Sequence, residues 1–100
     1  MTVSVRAPSF AMASASKNII GPTLRRLRVS KELTQDALAA QCQLQGWDVS
    51  RATLSKIEAG LRRVNDAEVL MLAKVLKVGV ADMYPARPKN LADVLRHSQG

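Results

Sequence analysis

The sequence predicts an all-α domain, a compact bundle of five helices containing a helix-turn-helix with an extended turn. Three observations carry this expectation. Apolar residues make up 47% of the 100-residue chain, yet Phe10, Trp47 and Tyr84 are its only aromatics, so the core falls to Leu, Val, Ile, Ala and Met and a β-sandwich or barrel is disfavoured. Those apolar residues recur at helical spacing in several short runs. Each run is punctuated by residues that start or stop helices, with Thr34, Ser50 and Asn65 before and Gly46, Gly60 and Gly79 after. A chain of this length can form one domain without a metal or disulfide staple.

Residues 1–21 are rich in Ser and Ala and show no sustained period, which predicts a disordered N-terminal arm. Met12 is an alternative start, and Arg6 and Lys17 leave open that the arm lies along a polyanion. Pro22 suits a first helical turn because its missing N–H has no partner there anyway. With Leu24 and Leu27 at i, i+3, helix 1 is expected over 22–32. Thr34 caps helix 2, expected over 35–44, where Ala37, Leu38 and Cys42 form the apolar stripe. Gly46 and Asp48 break the period, and Ser50 then caps helix 3 over 51–59, with Leu54 and Ile57 inward and Gly60 just beyond.

Asn65 and Glu68 have capping-box spacing ahead of helix 4, expected over 66–77 with Val69, Leu72, Ala73 and Leu76 on one face and Gly79 as its stop. "VADMY" predicts a brief helix 5 with Val80 and Met83 inward, closing a domain over 22–84. The tail, 85–100, holds a possible short amphipathic helix capped by Asn90, with Leu91, Val94 and Leu95 apolar. Its stripe is too short to stand alone in water.

Fifteen Lys and Arg oppose eight Asp and Glu, a formal charge of +7, so polyanions are the natural partners. Cys42 is the single cysteine, which excludes an intrachain disulfide and fits a reducing cytoplasm. At its helix 2 position it reads as core filling ahead of a redox sensor. No apolar run approaches the roughly 18 residues needed to span a bilayer, and Pro8 interrupts the N-terminal stretch where a signal peptide is apolar. One histidine, His97, and no Cys/His metal spacing or phosphate-cradling glycine loop leave catalysis, a metal and a cofactor unsupported. Asp36, Asp66, Glu68 and Asp82 stand near helix N-termini, where carboxylates favour the dipole.

The order and spacing of "LRRLR", "LTQDALA", "SRATLSKIEAG" and "LAKVLKV" resemble the phage-repressor and Cro-type helix-turn-helix domains of the XRE family, over about residues 23–84. The resemblance implies a lambda-repressor-like bundle that binds double-stranded DNA through helix 3. Independently of it, turning Leu54 and Ile57 inward leaves Arg51, Ala52, Ser55 and Lys56 outward. Such a helix fits the major groove, where Arg or Lys pairs with guanine and small apolar groups meet the thymine methyl. The resemblance assigns base reading to Arg51, Ala52, Thr53 and Lys56, and phosphate binding to Thr34, Gln35, Ser50, Ser55, Arg62 and Arg63. Arg25 and Arg26 add a basic outer face to helix 1. Gln35 is also implied to support helix 3, and Arg28 to pair with Glu58 as a structural tie.

The stretch "QLQGWDV" is about five residues longer than the family's usual turn. Trp47 within it is expected to cover the core edge, with contact to a DNA sugar-phosphate edge as the alternative. The expected function is a cytoplasmic, sequence-specific transcriptional regulator, a repressor by resemblance, acting as a homodimer on paired half-sites. Helix 5 and residues 90–97 are the candidate dimer face, and the tail leaves no room for a ligand-binding domain. Two alternatives stay open: an antitoxin-like module whose partner is a toxin, and charge-driven binding without sequence preference.

Overall fold

The computed structural model describes residues 16–97 of the chain. Among them the elements are α1 (Gly21–Ser30), α2 (Gln35–Leu44), α3 (Arg51–Glu58), α4 (Asp66–Leu76), a single 3-10 turn (Val80–Met83) and α5 (Leu91–His97). No described residue lies in a strand. Helix α2 packs on α3 and α4, α1 packs on α3, and the 3-10 turn closes against α4. The sealed centre holds Leu24 of α1, Leu38 and Cys42 of α2, Leu54 and Ile57 of α3, Leu72 and Leu76 of α4, and Met83. Each such aliphatic side chain taken out of water favours folding by roughly 1.5–3 kcal/mol.

The N-terminal caps follow the sequence. Thr34 Oγ1 accepts from the Ala37 N–H at 3.0 Å and Ser50 Oγ from the Thr53 N–H at 3.1 Å. Asn65 and Glu68 make the reciprocal bonds of a capping box. The C-terminal ends depart from expectation in an instructive way. After α1, α2, α3 and α4 the chain turns through a left-handed residue, and the next N–H reaches back to a carbonyl five residues earlier. Gly46 (φ 101°) and Gly60 (φ 77°) fill that position after α2 and α3, where a residue without Cβ is unstrained. Glu32 (φ 58°) and Lys77 (φ 60°) fill it after α1 and α4.

Helix 1 therefore stops at Ser30 instead of residue 32, and Lys77, not Gly79, terminates α4. Gly79, in extended conformation, opens the 3-10 turn, its N–H donating to Asp82 Oδ2 at 3.0 Å. The expected fifth helix is this one turn, and the tail supplies α5, inside which Val94 is half-buried.

The expected arm is the largest revision. Of residues 1–21, positions 1–15 lie outside the described residues, Arg6, Phe10 and Met12 among them. Residues 16–21 are part of the fold, with Asn18, Ile20 and Gly21 buried. Ile20 packs into the core, and the Asn18 side chain makes three hydrogen bonds: its Nδ2 donates to Ile57 O (3.0 Å) and Arg62 O (2.8 Å), while its Oδ1 accepts from the Gly21 N–H (2.8 Å). The Lys17 N–H adds a bond to Gly60 O at 2.8 Å. The segment thus pairs the carbonyls of Gly60 and Arg62 in the turn after α3 and adds a second donor to Ile57 O, which already accepts from the Gly60 N–H.

Candidate nucleic-acid interface

Helix α3 is amphipathic at one-residue resolution. Leu54, Ile57 and Glu58 are buried, Arg51, Ala52 and Lys56 are exposed, and Thr53 and Ser55 are half-buried. Of the four expected base-reading residues, then, three stand in solvent on one helix, and Thr53 sits at its margin. Thr53 is also held in the cap, since the Ser50 hydroxyl donates to Thr53 Oγ1 at 3.1 Å. Arg51 Nε lies 3.6 Å from Asp36 Oδ1, both side chains largely exposed. That solvated contact contributes little energy, but it shows that the N-terminal ends of α2 and α3 are neighbours.

Beneath this face is a polar anchor. The Arg28 guanidinium donates from Nε to Glu58 Oε2 at 2.6 Å and from Nη2 to Oε1 at 3.1 Å, and Arg28 Nη1 donates to Leu33 O at 2.7 Å. Gln35 Nε2 donates to the same Glu58 Oε1 at 3.0 Å. The expected Arg28–Glu58 tie is present, and Gln35 joins it. The Gln35 side-chain amide thus points to the protein, and what α2 offers outward at its start is backbone and the Thr34 cap. Hydrogen bonding to Glu58 is the main reason the Arg28 pKa lies above the usual arginine value. Arg25, Gln35, Ser55 and Ala59 line a shallow depression over the anchor, so one cation of helix 1 reaches the edge of the α3 face.

The two arginines after α3 diverge. Arg63 is exposed. Arg62 is not free for a phosphate in this conformation: Nη1 and Nη2 donate to Glu68 Oε1 and Oε2 at 3.0 and 3.1 Å, and Nη1 also donates to Arg63 O at 2.9 Å. The Arg62 hydrogen bonds hold the Glu68 carboxyl below its ordinary pKa, with the Asn65 backbone N–H assisting. Arg62 therefore extends the capping box of α4, a role its spacing to Glu68 does not announce.

The long turn is pinned at both ends. The Trp47 N–H donates to Cys42 O at 3.0 Å, Gln43 Nε2 donates to Val49 O at 2.8 Å, and Val49 is buried. Trp47 is half-buried against the core, which agrees with its expected covering role. The additional residues are absorbed by an ordered loop over 45–50, and α2 ends at Leu44 as its period predicts.

Sequence reasoning missed Asn18. A signal was present: an Asn three residues before Gly21 and four before Pro22 is an N-terminal capping pattern, here displaced one turn ahead of the helix. Among the described residues no group of His, Cys, Asp and Glu could hold a metal, and no helix is long and apolar enough to cross a membrane.

Comparison with known proteins agrees with this geometry. A family model described as a helix-turn-helix domain matches residues 19–84. The crystal structure of the restriction-modification controller protein C.AhdI from Aeromonas hydrophila superposes with a TM-score of 0.58 at 29% identity, covering 65% of this chain and 87% of that one. No curated protein matches the chain.

Proposed function

We propose, from the premise that this chain belongs to the helix-turn-helix domain family, that it is a transcriptional regulator binding double-stranded DNA with sequence preference, and that its action at its site is repression. The family is one of DNA-binding regulators, not enzymes. The observation that carries the proposal is the split of α3, whose Leu54, Ile57 and Glu58 are locked inside while Arg51, Ala52 and Lys56 stand in solvent. A helix so held can enter the major groove without disturbing the core.

Arg51 and Lys56 then meet base edges, with Ala52 and the Thr53 methyl for thymine. Arg63, Ser55 and the α2 start around Thr34 and Gln35 meet phosphates, which position the protein without reading sequence. Ser50 acts through its cap, and Arg62 through its hold on Glu68. The likeness to a controller protein favours gene regulation over the antitoxin-like alternative. Two copies on paired half-sites would double the footprint, and exposed Leu91 on α5 supports that end as their contact.

The test is selection of binding sites from random duplexes at physiological salt, with wild type, Arg51→Ala and Arg63→Ala. An enriched two-fold site is expected for wild type, a relaxed preference for Arg51→Ala, and a uniform weakening for Arg63→Ala. Wild-type protein that enriches no site counts against sequence-specific regulation. Transcription from a promoter carrying the selected site should fall as the protein is added; a rise would replace repression with activation.

A further inference from the structure

A second basic surface lies away from α3. It is a groove between the start of α1 and the 85–90 connection, with three exposed cations, Arg26, Arg87 and Lys89, over a floor that includes Ile19, Pro22 and Pro88. No carboxylate lines it, and among the described residues none of the three cations has an ion-pair partner. Arg25 and Arg26 are successive residues of a helix and so point about 100° apart. Arg25 borders the α3 face beside Gln35 and Ser55, and Arg26 borders the groove. A duplex seated on α3 is therefore served by one of these arginines while the other is directed elsewhere.

The groove is built to keep its shape. Asn90 Nδ2 donates to Ser16 Oγ at 2.6 Å and to Asn18 O at 3.0 Å, tying its C-terminal wall to the buried N-terminal segment. Pro85 and Pro88 restrict the backbone of that wall. No carboxylate offsets its three cations, so their convergence is unfavourable for the isolated fold and is relieved by an anion.

We infer that this groove is a docking site for an acidic, apolar-anchored segment of a partner protein. Charge complementarity selects acidic residues, and the Ile19, Pro22 and Pro88 floor selects an apolar side chain between them, which a phosphate backbone lacks. Residues 1–15 and 98–100 do not qualify, because they contain no Asp or Glu. The inference does not rest on the DNA-binding reading, and the two are tested by separate measurements.

The experiment is a titration of the full-length, isotopically labelled protein, followed by amide chemical shifts. The probes are a short peptide alternating Asp and Glu with Leu, the same peptide with Leu replaced by Ser, and a short duplex. The Leu peptide should move the amides of Ile19, Thr23, Arg26, Arg87 and Lys89 and leave those of Arg51 to Lys56 in place. The charge reversal Arg87→Glu with Lys89→Glu should weaken the peptide about tenfold and leave the affinity for the selected duplex within about twofold. These substitutions lie in an exposed connection, so folding is checked by an unchanged amide spectrum elsewhere. Peptide shifts centred on α3, equal binding of the Leu and Ser peptides, or stronger binding of the duplex than of the peptide in this groove would each overturn the inference.

Discussion

Arg28 and Glu58, thirty residues apart in sequence, form a two-point ion pair at 2.6 and 3.1 Å with side chains only 11% and 4% exposed. Through it the first helix holds the last turn of the third, and Gln35 of α2 closes on the same carboxylate. Removing one partner strands the other in the interior, so Arg28→Ala or Glu58→Ala should cost about 3 kcal/mol, read as a lowered denaturant midpoint. Arg28→Leu with Glu58→Leu should recover part of that loss. A double variant as unstable as the singles would show that the pair contributes more than the avoidance of a lone charge.

The Arg62–Glu68 pair sets a pH dependence. Hydrogen bonding from Arg62 depresses the folded-state pKa of Glu68, so the associated stability is fully present above the unfolded carboxylate value of about 4.3. It disappears as pH falls through the lower folded value. The melting-temperature gap between wild type and Glu68→Gln should be wide at neutral pH and narrow below pH about 4. A gap unchanged across that range would show that the charge of the Glu68 carboxylate is not what the variant loses. By the same geometry Arg62→Ala should lower thermal stability as well as any DNA affinity.

Asn18→Ala removes the side-chain partner of Arg62 O and of the Gly21 N–H, and one of two donors to Ile57 O, which keeps the Gly60 N–H at 3.0 Å. Orphaned buried polar groups predict a loss of about 2–3 kcal/mol, together with faster amide exchange at the end of α3. Gly21 is packed so closely that a Cβ would come 2.6 Å from Ile57 O and 2.8 Å from Glu58 O. Removing residues 1–17 should be milder than Asn18→Ala, since the clamp itself remains; a larger effect of the deletion would assign the anchoring to Ser16 and Lys17.

Lys77 closes α4 in the left-handed conformation at φ 60°. Glycine adopts it without a Cβ penalty, so Lys77→Gly should stabilise the domain by about 0.5–1 kcal/mol even after its greater unfolded-state freedom is counted. Equilibrium unfolding in urea measures this directly. A destabilised variant would mean that the lysine side chain contributes contacts that outweigh the strain.

Cys42 is fully buried, and burial pushes its thiol pKa up to about 11. A thiol reagent at neutral pH should therefore modify it at the rate of opening of the domain, accelerated by denaturant. Rapid labelling of the native protein would return Cys42 to the role of redox sensor.

Local chemistry accounts for what was legible beforehand. Thr34, Ser50 and Asn65 announce helix starts because a cap is made within a few residues, and Leu54 and Ile57 announce the buried side of α3 because helical periodicity is local. From these the bundle, the bounds of α2 and three of the four residues expected outward, Arg51, Ala52 and Lys56, follow from sequence alone, while Ser55, expected with them, is half-buried. The Arg28–Glu58 tie came from resemblance, since nothing in either residue's neighbourhood points to the other.

Tertiary structure alone decided the rest. Composition suggests a loose arm at residues 16–21, but Ile20 finds a place in the core and Asn18 finds carbonyls at the end of α3 and just beyond it, supplied by chain some forty residues away. Gln35 and Arg62 look alike in sequence as polar residues free to meet phosphate, and each is claimed by a glutamate that folding brings within 3.1 Å. Arg25 and Arg26, adjacent and chemically identical, are sent to different surfaces by their helix. A sequence determines which groups must be satisfied; only the assembled fold determines which partner lies within hydrogen-bonding reach, because those distances depend on all the helices at once.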